Sequence, residues 1–227
     1  MKKNLTELVF ILDRSGSMRG LEQDSIGGFN GMLDRQRGQE GEANITTVLF
    51  DDQYEKVHDR LPLDQVGDLT SKEYYVRGCT ALLDAMGKTI YETALIQKHL
   101  PESEKAGKVI VVITTDGLEN ASHVYSRDEV KKMIEHEKET HGWEFLFLGA
   151  NMDAVAEAGS MGISPDRSVT FENDSQGIRL NYDVVGRTLC RMRSAASPVG
   201  SEWKKKIEED YHGRRNGLFR KKKQGTH

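Results

Sequence analysis

The chain has little cysteine and no long apolar run, and each shortage narrows what it can be. Cys79 and Cys190 are the two cysteines among 227 residues. They form no Cys-x-x-Cys and have no histidine at ligand spacing, which argues against a disulfide framework and suits a reducing compartment. No segment reaches the roughly 18 apolar residues that a membrane span needs. Lys2-Lys3 before Leu8-Val9-Phe10-Ile11-Leu12 imitates a signal peptide. Glu7 interrupts it, Asp13-Arg14 follows, and no small-residue cleavage site is present, so the expected location is the cytoplasm. A nucleotide loop is missing too. Gly87-Lys88-Thr89 mimics the end of a P-loop, but the glycine required five residues earlier is Leu82.

Net charge is −4, which gives no overall attraction to nucleic acid. The average hides an asymmetry. Residues 211–227 hold Arg214, Arg215, Arg220, Lys221, Lys222 and Lys223 and no acid, leaving the other 210 residues at −10. From about Ser197 the composition reads as a tail, so the expected organisation is a domain over 1–197 and a basic tail over 198–227. That tail is either flexible or a short helix near Trp203–Tyr211. It suits solvation, an acidic partner protein, or nucleic acid through charge alone. Phe219 is the one aromatic among its last basic residues, fewer than a stacking platform uses.

What is present is an alternation. Strand candidates are Leu8–Leu12, Ile45–Phe50, Tyr54–Val57, Val109–Thr114, Phe145–Leu148 and Val169–Phe171. The β-branched run Val109-Ile110-Val111-Val112-Ile113 is typical of a strand covered on both faces. Asp51-Asp52-Gln53 predicts a hairpin that makes the third strand an antiparallel edge. Helical spacing covers 22–37, 81–98, 127–140, 152–159 and 176–194, with a Ser126/Glu129 capping box opening the third of these. The class is therefore α/β: a doubly wound, mostly parallel six-stranded sheet with one antiparallel edge strand and helices on both faces. Such a sheet binds ligands beyond the carboxyl ends of its strands, where strand order reverses.

Three polar loops fall at that edge. Asp13-x-Ser15-x-Ser17 leaves the first strand on a Gly-containing turn. Thr80 stands in Gly78-Cys79-Thr80-Ala81-Leu82 before a helix, and Thr114-Thr115-Asp116-Gly117 ends the buried strand. Two carboxylates and three hydroxyls suit a hard cation such as Mg²⁺, with Mn²⁺ or Ca²⁺ also accommodated.

These five positions, in this order, resemble the metal-ion-dependent adhesion site of the von Willebrand factor type A family, over roughly residues 5–195. The resemblance implies a Rossmann-like fold, Ser15 and Ser17 as direct ligands and Thr80 as a direct or switching one. It makes Asp13 and Asp116 inner or water-bridged anchors. It also implies a partner protein that presents Asp or Glu to the metal. The stand-alone length and missing leader fit a prokaryotic or phage member, an adaptor in an intracellular complex, and an AAA+ ATPase beside it by family analogy. The alternatives are a metal-dependent hydrolase of phosphate esters, for which no convincing general acid/base stands at the edge, and binding through the tail with the domain as scaffold.

Neighbouring residues have plainer readings. Asp84 favours the dipole of its helix. Asp51 and Asp52 read as a solvated turn, and Glu119 and Asn120 as shapers of the rim. Asn151 is a partner contact or a helix cap. His136 and His141, five apart, read as ordinary surface histidines.

Overall fold

The computed structural model describes residues 1–150, 152–195 and 199–224, with side chains as far as Arg215. Each apolar run is a strand: β1 (Lys2–Asp13), β2 (Glu42–Phe50), β3 (Tyr54–Pro62), β4 (Ala106–Thr115), β5 (Glu144–Ala150) and β6 (Ser168–Phe171). They form one six-stranded sheet in the order β3-β2-β1-β4-β5-β6. β3 pairs antiparallel with β2 at one edge, and every other neighbouring pair is parallel. The Asp51–Gln53 turn thus makes the expected hairpin.

The alternation of side chains along β1 builds two cores. Leu8, Phe10 and Leu12 face a layer formed by α1 (Glu22–Arg37) and α5 (Ser175–Ser194). Val9 and Ile11 face the other layer, formed by α2 (Leu82–His99), α3 (Arg127–His141) and α4 (Ala154–Ser160). Phe10 and Ile11 are fully buried, and each such side chain contributes about 1.5–3 kcal/mol relative to exposure. A strand covered on both faces must read as a continuous apolar run, and β1 and β4 do. No helix among the described residues is long and apolar enough to cross a membrane.

α3 starts at the expected capping box: Glu129 N donates to Ser126 Oγ, and Ser126 N donates to Glu129 Oε2. It stops at Gly142, whose φ of 66° closes the helix in the left-handed region.

The segment after 198 takes the helical of its two expected forms, and the helix is longer than Trp203–Tyr211. A sixth helix, α6 (Lys205–Gln224), follows a short turn over Ser201–Lys204. Trp203 and Ile207 are buried in the α1/α5 core together with Val199. Trp203 Nε1 donates to Asp166 O, and Lys204 Nζ donates to Pro165 O and Ser168 O. Three apolar side chains are enough because they fill a gap at the β6 edge that the domain leaves open. Two of the six basic residues pair with acids of the domain, Arg214 with Asp174 and Arg215 with Glu172, and Arg214 also pairs with Asp210 on α6 itself.

Candidate metal centre

The strand order reverses between β1 and β4, which leave the sheet side by side in parallel. Asp13 ends β1 and Asp116 follows β4, so both carboxylates fall at the switch point where open α/β sheets bind ligands. The loop before α2 brings Thr80 to the same place. Thr80 Oγ1 donates to Ser15 Oγ at 3.1 Å, and Ser15 Oγ lies 3.1 Å from Ser17 Oγ. Ser17 Oγ donates to Asp116 Oδ1 at 2.5 Å. Asp13 is fixed from behind: its Oδ1 accepts from Ser15 N and its Oδ2 from Thr115 Oγ1, both at 2.7 Å. All five expected residues therefore converge. Asp13, Ser15, Thr80 and Asp116 are buried, while Ser17 is exposed and opens the cluster to solvent.

Local backbone chemistry makes this convergence. Gly117 allows a close approach, since a Cβ there would stand 2.9 Å from Thr80 Oγ1. Gly78 has a φ of 66° and its carbonyl accepts from Gly16 N, tying the Thr80 loop to the Asp13–Ser17 loop. The stretch after Asp116 caps α2. Asn120 Oδ1 accepts from Thr80 N, Glu119 Oε2 from Leu83 N, and Ser122 Oγ from Asp84 N. The open amides of a helix start are thereby satisfied by the loop that carries Asp116. Asp84 returns the contact, accepting from the backbone of His123, Val124 and Tyr125. Glu119 and Asn120 are thus braces of the rim.

Burial, with no countercharge among the described residues, sets the electrostatics of the two acids. Burial pushes the Asp13 carboxyl up to about 6, against hydrogen bonds from Ser15 and Thr115 that pull it down. Burial likewise raises Asp116, opposed by Ser17 and Asn173. Among the described residues no lysine or arginine forms an ion pair with either. Buried carboxylates are normally paired or bound to a metal. Two such acids beside three hydroxyls form an oxygen-only donor set that fits a hard divalent ion.

Asp51 corrects the expectation of a solvated turn. It is fully buried and accepts from Arg14 Nε at 3.1 Å and from Arg77 Nε at 2.6 Å. Arg14, the variable position of Asp-x-Ser-x-Ser, is itself fully buried; it pairs with Glu55 and donates to Glu73 O. The pairing was hidden because its members come from three separate stretches of chain, at 14, 51–55 and 73–77. Three further residues that support the site carried no local signal. Thr115 bonds Asp13, Tyr74 Oη donates to Asp13 O at 2.6 Å, and Asn173 Nδ2 donates to Asp116 Oδ2 at 2.8 Å. Asn151 lies outside the described residues. His136 and His141 lie exposed at the surface as expected, and their rings meet edge to face at 5.8 Å.

No protein-family model matches the sequence, and no curated protein matches it significantly. Solved structures do match. A von Willebrand factor type A structure from Catenulispora acidiphila superposes with a TM-score of 0.56 at 15% identity, over 82% of this chain and 42% of that one. The fold is the type A fold. Proximal thread matrix protein 1 from the mussel byssus, solved with zinc in its MIDAS motif, shares it with a TM-score of 0.56 at 16% identity, over 84% of this chain and 47% of that one. Manganese-loaded TRAP protein from Plasmodium vivax shares it with a TM-score of 0.52 at 13% identity, over 79% of this chain and 73% of that one. The chain thus spans less than half the length of the first two. In this type A fold the five converged oxygen residues lie at the switch point of the sheet.

Proposed function

We propose that the chain is a divalent-metal-dependent protein-binding module. Asp13, Ser15, Ser17, Thr80 and Asp116 would hold the cation. The observation that carries this reading is the buried acid pair, Asp13 and Asp116, which has three hydroxyls around it and, among the described residues, no cationic partner. Neutral hydroxyls leave a bound ion less neutralised than a carboxylate cage would, so its open position supplies a Lewis-acidic point for an incoming carboxylate. Mg²⁺ suits the donors. Zinc and manganese in the two similar structures support the divalent class without selecting the metal.

The surroundings fit a protein ligand that presents Asp or Glu. Exposed Ser17 leads to solvent, and Leu118 and Val124 stand 61% and 74% exposed on the loop that follows Asp116. An acidic side chain flanked by apolar residues would meet both the ion and this rim. The resemblance of the three loops to the type A family extends the proposal to an adaptor in an intracellular prokaryotic complex, beside an AAA+ ATPase by family analogy.

The test is a calorimetric titration of Mg²⁺ and Mn²⁺ into the chain and into a Ser15→Ala/Ser17→Ala variant. Metal binding in the parent and its loss in the variant is the expected result, with a pull-down that depends on the same residues. Equal affinities in both proteins would remove the proposal.

A further inference from the structure

At the opposite end of the sheet a second group of donors converges. His136, Glu137 and His141 each bring one ligand atom within 4.8 Å of the other two. Glu137 and His141 are four apart on α3 and share a face, while His136 flanks Glu137 from the other side. Thr140 Oγ1 lies 3.4 Å from His136 Nδ1, which leaves Nε2 open.

Glu137 separates this group from a chance surface cluster. Its side chain is 6% exposed, and its buried Oε2 has no hydrogen-bond partner among the described residues. A buried carboxylate oxygen without donor or cation is costly. Nearby lysines do not supply one. Lys108 Nζ is held by the carbonyls of Met192, Arg193 and Ala195, and Lys105 pairs with Glu102. Burial raises the Glu137 carboxyl above its ordinary range, and the two imidazoles act against that rise. The three donors line a groove of about 680 Å³ that also includes Gln97 and Trp143. Gln97 Nε2 is a second enclosed atom there without a partner among the described residues.

We propose that His136, Glu137 and His141 form a second metal site, for a transition metal of the zinc class. Two imidazoles and one carboxylate suit Zn²⁺, Cu²⁺ or Ni²⁺ far better than Mg²⁺. Three protein ligands leave a position for water or an outside ligand, and that position faces the groove. Ligand bonds of about 2.0–2.2 Å put tetrahedral donors roughly 3.4 Å apart. The exposed imidazoles have the freedom to close that far on loading. The site is independent of the oxygen cluster. Val109, which lines the groove, and Asp116 are seven residues apart along β4, roughly 23 Å.

The test titrates Zn²⁺ into an Asp13→Asn protein, which disables the oxygen cluster, and follows histidine ring nitrogens by ¹⁵N NMR. The expected result is one equivalent bound, with the ring nitrogens of His136 and His141 moving to metal-bound positions and those of His99 and His123 unmoved. Adding His136→Gln and His141→Gln should cut affinity by more than the roughly 10–100-fold that losing a supporting partner costs. Both side chains are exposed, and an unchanged circular-dichroism melt confirms that this variant is folded. Glu137→Gln should weaken Zn²⁺ binding while keeping both imidazole responses. Rings that do not move at saturation, a response shared equally by His99 and His123, or equal affinity in the double-histidine variant would each overturn the proposal.

Discussion

Asp13 and Asp51 leave adjacent strands at the same edge of the sheet, and both are sealed from solvent, yet among the described residues only Asp51 has cationic partners. Asp51 has two arginine partners, Arg14 and Arg77, with the Tyr75 ring 5.2 Å and 5.3 Å from their guanidinium carbons. Asp13 has a backbone amide and a threonine hydroxyl. Burial raises the carboxyl of Asp51 too, but the Arg77 and Gln53 hydrogen bonds and the Arg14 charge bring it below its ordinary value. Asp13 stays above. One acid is neutralised by the fold itself, and the other is held by hydrogen bonds without a countercharge among the described residues.

That contrast can be broken at several strengths. Arg14→Ala takes from Asp51 the fully buried one of its two arginines, and removing one member of a buried ion pair costs about 3–5 kcal/mol. Urea unfolding in chelator should show a loss of that size; a loss under about 1 kcal/mol would mean that Arg77 alone suffices. Asp13→Asn should do the reverse. It removes an unpaired buried charge while keeping an acceptor for Ser15 N, so the chelated protein should melt at the same temperature or higher. Its Mg²⁺ affinity should fall by more than about 100-fold, beyond what outer partners cost.

Acid should separate the two residues again. The Asp13 carboxyl sits at about 6 in the fold against an ordinary 3.8, so the folded chain binds this proton more tightly than the unfolded one. Stability from this group is complete below about pH 4 and is lost as pH rises through about 6. Chelated protein should therefore gain about 1–2 kcal/mol from Asp13 between pH 7 and pH 5, a gain absent in Asp13→Asn. With saturating Mg²⁺ the sign should reverse, because the proton competes with the ion. Asp51 behaves oppositely: its contribution is present above its ordinary range and fades only as pH falls below about 4. The mildest change is Asn173→Ala, which frees Asp116 Oδ2 and should weaken Mg²⁺ by about tenfold with little effect on the melt.

Legibility in the sequence followed distance along the chain. Strands and helices were readable because their signals are local: the β-branched run of β4, the alternating faces of β1, the Ser126/Glu129 box. The five oxygen residues were readable because each lies in a short motif at the end of such an element. Asp51 and Asp52 looked solvated because the arginines that claim Asp51 are 37 and 26 residues away. Asn173 and Tyr74 touch the acid loops through side chains that no spacing rule links to them. Trp203 and Ile207 lie where a short helix was one of two expected forms, but their burial was not legible, because the gap they fill belongs to β6 and α5. His136 and His141 were judged by helical angle alone, which ignores the reach of two imidazoles across the glutamate between them.

The central place of β1 also has a consequence in time. Of the six strands of this sheet it is made first, yet one of its neighbours, β4, starts at Ala106. Asp13 and Asp116 therefore meet only after a long stretch of chain has been synthesised and β1 and β4 have registered. Long loops must close before such contacts stabilise anything, which makes parallel pairing of this kind slow. An ion that needs both acids has nothing to hold in the nascent chain. On the proposed function such an ion would bind a finished sheet, so its stabilisation should appear as slower unfolding and leave the rate of folding nearly untouched.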